Sequence, residues 1–145
     1  MSDLSVLRLN LLRGGYGLIA IGLGILIWPT ILDPATTWEL QRGVVVSMLG
    51  AMGLLSILGL RHPLKMLPLL LFEVTWKAIW LLRIAPPLAL AGKLDPATMS
   101  VLQNCLVVVI VIAVIPWDHV VARYVLAPGE PWLRPRAPKI PAQVG

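Results

Sequence analysis

Thiols, imidazoles and carboxylates are scarce in this chain, and the scarcity removes most catalytic chemistry at once. The one cysteine, Cys105, excludes an internal disulfide and any CxxC redox or zinc site. A thiol inside an apolar run behaves as a small inert side chain. His62 and His119 are the two histidines. Haem held between helices wants histidines within the spans, and no carboxylate or cysteine completes a metal site with them, so neither metal nor cofactor is expected. No nucleophile–base pair, phosphate loop or paired-acid motif occurs, and the chain is not expected to be an enzyme.

Charge is scarce too. Charged residues make up 13% of the 145 against 58% apolar, with a mean hydropathy of +0.86. Such a composition excludes a soluble domain and points to an all-α integral membrane protein. Residues 14–32, 43–60 and 96–117 each run 18 residues or more without a charge, long enough to cross a bilayer. Residues 67–91 make a fourth span despite three charges inside it. The first run is too long for a signal peptide, and no small-residue cleavage site follows at residues 28–32, so it reads as a retained helix. The expected fold is a four-transmembrane-helix bundle, residues 1–126, followed by a Pro-rich tail, residues 127–145.

The net charge of +5 reports topology rather than nucleic-acid binding. In a four-span arrangement Arg8, Arg13, Arg61, Lys65, Arg123, Arg134, Arg136 and Lys139 fall on one side, and Arg42 and Lys93 on the other. Eight against two is a strong positive-inside bias, which puts both termini in the cytoplasm. The same charges suit a bilayer with anionic lipid.

Along the chain, Leu4, Leu7, Leu11 and Leu12 give the first thirteen residues the look of an amphipathic lead-in at the interface. Glycines crowd the first span, and Gly43, Ser47 and Ala51 recur every fourth residue in the second, with Gly59 further along the row. Small residues at that spacing let helices approach closely, within the bundle or across a dimer face. Leu32-Asp33-Pro34-Ala35-Thr36 recurs as Leu94-Asp95-Pro96-Ala97-Thr98, and nine of the fifteen positions 32–46 and 94–108 are identical in register. Asp as N-cap and Pro in the first turn is a sound helix start. The match reads either as two solutions to one local problem or as two parallel two-helix repeats. Pro86-Pro87 is expected to end or kink the third helix. Prolines at 128, 131, 135, 138 and 141 favour an extended tail.

The third span carries the feature with most functional content. At 100° per residue, Glu73, Trp76, Lys77, Trp80 and Arg83 fall within an arc of about 120° and form one stripe. Ionisable groups at membrane depth face protein or water, rarely lipid. With the helix starting near Leu67, Glu73 lies ~9 Å and Lys77 ~15 Å deep in a hydrocarbon core of ~30 Å. Arg83 then sits near the far interface and can snorkel. Glu73 and Lys77 stand four apart in the order that favours a helical ion pair. The pair reads either as a structural, self-neutralising one or as a functional site. In the second case the stripe docks onto a larger membrane complex, or Glu73 serves a small proton-coupled transporter. Tyr16, Ser47, Ser56, Ser100, Gln103 and Asn104 are the polar side chains elsewhere that can answer it.

The run from Arg61 to Leu82, RHPLKMLPLLLFEVTWKAIWLL, resembles one found in small, uncharacterised four-helix proteins of bacterial inner membranes. The Ile115-Pro116-Trp117 turn and the Tyr124-Val125…Pro128-Gly129…Pro131-Trp132 stretch are similar too, and together these cover about a third of the chain. DoxX-like proteins are similar in size and helix number alone. The resemblance implies a multi-pass protein of the bacterial inner membrane and brings no activity with it. The expected role is therefore that of a non-enzymatic accessory or assembly subunit. Its expected partners are the lipid bilayer and another membrane protein or a second copy of itself.

Overall fold

Long runs of Leu, Ile, Val and Gly leave the backbone to satisfy its own hydrogen bonds, and helices do this within a single segment. In the computed structural model, which describes residues 4–131, every regular element is helical. The elements are α1 (Val6–Leu26), α2 (Trp28–Leu32), α3 (Leu40–Arg61), α4 (Leu67–Ile79), a wide π turn (Trp80–Ile84), α5 (Ala85–Leu90), α6 (Pro96–Leu106), α7 (Val108–Val114), α8 (Trp117–Val120) and a second π turn (Val121–Leu126). Among the described residues three helices are long and apolar enough to cross a membrane: Val6–Leu26, Leu40–Arg61 and Pro96–Val114, the last taken across α6 and α7. The segment expected as the third span is composite, built from α4, the first π turn and α5. The Pro-rich tail lies outside the described residues from position 132 onward.

Local signals set most of the boundaries. Ser5 caps α1, its Oγ accepting from the Arg8 N–H at 3.3 Å. The expected lead-in is thus the first turns of α1 itself, not a separate segment. Asp95 caps α6 by accepting from the Thr98 N–H at 2.7 Å. Those bonds to Thr98 hold its carboxyl below the usual carboxylate range, outweighing burial. The matching Asp33 does something else. It follows α2, and its Oδ1 accepts from the Ala35 N–H at 2.9 Å in a side-chain turn, so that α3 starts only at Leu40. The same four residues therefore make a turn once and a helix start once, and the local structure does not repeat. Pro86-Pro87 neither ends nor breaks the third helix. Two missing N–H groups and their rings are accommodated by the π turn just before them, where the Ala85 N–H reaches the Trp80 carbonyl.

The main packing pair is α1 against α3, running antiparallel. Leu23 and Trp28 meet Gly53, Ile27 and Ile31 meet Gly50, and Tyr16 lies flat on Gly59. Buried Gly50, Gly53, Ser56 and Gly59 form the close-approach row, whereas Ser47 and Ala51 of the expected row are exposed. The α7 segment packs on α1, with Val114 over Gly15, and on α4, which also touches α3. Leu12, Tyr16, Met52, Leu67, Leu70 and Val111 are central to the core these helices enclose.

One end of the molecule is tied by polar contacts. Arg13 Nε donates to the Leu60 carbonyl at 3.1 Å, which caps the negative end of α3. The Tyr16 hydroxyl donates to the Pro63 carbonyl at 2.8 Å, and Arg8 pairs with Asp118 at 3.0 Å. The start of α1, the 61–66 turn and the start of α8 thus share one end. Much of the remaining surface is apolar, with Ile21, Ile25, Val44, Leu54, Leu82 and Val109 each at least half exposed.

Candidate functional site

Pro68 sits in the first turn of α4, where its missing N–H costs nothing. From there a regular helix carries Glu73 and Lys77 to one face, a turn apart, where both are buried with side-chain exposures of 4% and 9%. Lys77 Nζ stands 2.6 Å from Glu73 Oε1. The other carboxylate oxygen, Oε2, accepts from Trp76 Nε1 at 2.8 Å. The Lys77 ammonium lies 5.5 Å from the Trp76 ring centroid, within the range of a cation–π contact. It also donates to the backbone carbonyl of Asn104 at 3.2 Å. Two opposite charges, an indole N–H and a carbonyl thus form a closed set, with no buried side-chain polar atom left unpartnered among the described residues.

The carbonyl partner has a structural reason. In an unbroken α-helix the Asn104 carbonyl would accept from residue 108. Here the helix is interrupted between α6 and α7 at Val107, and the Ile110 N–H turns to the Val107 carbonyl three residues back at 3.0 Å. Neither Gly nor Pro stands at the interruption. A side chain reaching into the ladder is a known cause of such breaks, and Lys77 is the side chain that does so.

Of the five residues expected on one stripe, the structure brings together Glu73, Trp76 and Lys77. Trp80 is half-buried and opens the π turn, and Arg83 is exposed within it. A π turn advances less per residue than the 100° of an α-helix, so residues beyond Trp80 lag behind the stripe. Among the described residues Arg83 has no hydrogen-bonding or ionic partner. The polar side chains expected to answer the stripe do not. Ser56 bonds the Met52 carbonyl in its own helix, Tyr16 is turned to Pro63, and Ser47, Ser100, Gln103 and the Asn104 side chain are exposed. The answering group is a main-chain carbonyl, which no inventory of side chains contains.

Beside the pair, Val45, Met48, Leu49, Met52, Phe72 and Trp76 line an apolar cavity of about 150 Å³ between α3 and α4. No group of three or more His, Cys, Asp or Glu able to hold a metal occurs among the described residues. No protein-family model matches the chain, and no curated protein or solved structure matches it.

Proposed function

We propose that the chain is a non-enzymatic, four-span protein of the bacterial inner membrane, with both termini cytoplasmic, that acts as an accessory or assembly subunit of a larger membrane complex. The buried Glu73–Lys77 pair fastens the third span to the fourth. The docking contact falls to the outward face of the same segment, where Phe72, Thr75, Ile79, Leu82, Arg83 and Pro86 are exposed.

The observation that carries this reading is Arg83, a cation exposed on an otherwise uncharged face with no partner among the described residues. At 1.5 Å per residue from Leu67 it stands ~24 Å along the span, still within a core of ~30 Å. A guanidinium at that depth calls for a carboxylate or a headgroup, and Arg is a common anchor of buried contacts. A proton-coupled transporter would instead need Glu73 to exchange its proton with water. Both its oxygens are taken internally, and the neighbouring cavity is lined by apolar side chains.

Purification from native membranes in a mild detergent tests the proposal. A stoichiometric membrane partner should co-purify, be lost with Arg83→Ala, and be kept with the paired change Glu73→Gln and Lys77→Met. Retention of the partner by Arg83→Ala, or isolation of the chain alone, would sink the docking role. A transport activity abolished by the paired change at normal protein level would establish the transporter in its place.

A further inference from the structure

The last helical stretch among the described residues leaves an apolar stripe uncovered. After Ile115 and Pro116, residues 117–126 continue as α8 and the second π turn, and only Val120 is buried, at 7% exposure. Trp117, Val121 and Val125 recur every fourth residue and are 42%, 44% and 70% exposed, with Tyr124 beside them at 45%. His119 and Arg123, also four apart, occupy the opposite face. Ten residues are too few to cross a bilayer, and this stretch follows directly on the helix Pro96–Val114, which is long enough to do so.

The surroundings of the stripe are cationic. The Arg8–Asp118 pair ties α8 to the start of α1, beside the 61–66 turn. Of the described charges, Arg8, Arg13, Arg61, Lys65 and Arg123 fall on this side against Asp118 and Glu130, and Arg61, Lys65 and Arg123 are exposed. A short amphipathic helix with one apolar face, an aromatic at its start and cations around it is the pattern of a segment lying in the interfacial plane.

We propose that residues 117–126 lie on the membrane surface, Trp117, Val121 and Val125 sunk at the acyl boundary, and that Arg61, Lys65 and Arg123 select anionic phospholipid headgroups there. The inference rests on the membrane embedding proposed above and is independent of the docking role. Each such cation favours an anionic surface about fivefold, so three make the lipid around this end markedly non-random.

A quenching experiment on the full chain tests it. An environment-sensitive fluorophore is placed by Val125→Cys, and in a separate protein by Ile110→Cys on the exposed side of α7; Cys105, fully buried, stays unlabelled. Each protein is reconstituted into vesicles of mixed phosphatidylcholine and phosphatidylglycerol, with one lipid or the other brominated. At position 125 brominated phosphatidylglycerol should quench more strongly than brominated phosphatidylcholine. That preference should fall with each cation removed and vanish in Arg61→Gln/Lys65→Gln/Arg123→Gln. At position 110 the two lipids should quench alike. Equal quenching by both at 125, no quenching there while 110 is quenched, or a preference that survives the triple change overturns the inference. Loss of quenching at 110 overturns the embedding and this inference with it.

Discussion

Glu73 and Lys77 satisfy each other, yet each also holds a third group of fixed polarity. Trp76 Nε1–H needs an acceptor at position 73, and the Asn104 carbonyl needs a donor at position 77. This asymmetry predicts a ranking of variants. Glu73→Ala leaves a buried ammonium without its counter-ion and should cost about 3–5 kcal/mol. Exchanging the charges, Glu73→Lys with Lys77→Glu, restores the pair but sets donor against donor at Trp76 and acceptor against acceptor at Asn104, so it should stay severely destabilised. Glu73→Gln with Lys77→Met keeps the acceptor for Trp76 and removes both charges. It leaves the Asn104 carbonyl and the new amide N–H groups at position 73 short of the Lys77 partner, but both are neutral, so it should cost about 1–3 kcal/mol, less than the uncompensated charge of Glu73→Ala. Thermal unfolding of the detergent-solubilised protein measures all three. A charge-swapped protein as stable as the parent would mean that Trp76 and Asn104 do not read the polarity of the pair.

At the scale of elements, the helices and the Glu73–Lys77 pairing were legible because they depend on local sequence: uncharged length, caps, and i to i+4 spacing. The Asp95 cap and the Tyr16 packing against the second long helix show how far that goes. The cap is a local rule obeyed, and Gly59 of the expected row does meet α1, while nothing in the sequence says that Gly50 and Gly53 join it there and that Ser47 and Ala51 do not. That choice depends on the rotation of α3 about its axis, which tertiary contacts set. The π turn was invisible for a related reason. Proline signals a disturbance, but whether the helix ends, kinks or widens depends on what the neighbours allow, and that widening is what turns Arg83 away from the Glu73–Lys77 face. The packing row itself makes a prediction. A methyl at Gly59 would overlap the Tyr16 ring, which is pinned by its bond to Pro63 and cannot yield. Gly59→Ala should therefore cost about 1–3 kcal/mol as overpacking. Gly22 has nothing within 4 Å of an added Cβ, and Gly22→Ala should be neutral or stabilise by up to about 1 kcal/mol. Equal effects of the two substitutions on unfolding temperature would rule out the helix pairing described.

For the molecule as a whole, the tied end is held by contacts of different durability. The Arg13–Leu60 and Tyr16–Pro63 bonds link α1 to the end of α3 and the turn after it, and neither depends on a carboxylate. The Arg8–Asp118 pair links α1 to α8 and does. Burial pushes the Asp118 carboxyl upward, but the hydrogen bond and charge of Arg8 outweigh it and leave the group below the usual carboxylate range. A carboxyl whose folded value is depressed contributes its stabilisation in full above the unfolded value, about 3.9, and loses it as pH falls through the folded value. The link should therefore be indifferent to pH between about 7 and 5 and release below about 4. Both side chains are more than half exposed, so salt should weaken it as well. Release frees α8 from α1 but leaves the α1–α3 pairing intact, so the effect should be confined to one end. Hydrogen exchange, corrected for the pH dependence of the amide reaction itself, should show residues 117–126 opening on acidification while α3 stays protected. Asp118→Asn should show that opening already at neutral pH and no further step in acid. If the variant's segment is as protected as the parent's, α8 is held by its apolar contacts, Val120 above all, and the ion pair is an ornament of the surface.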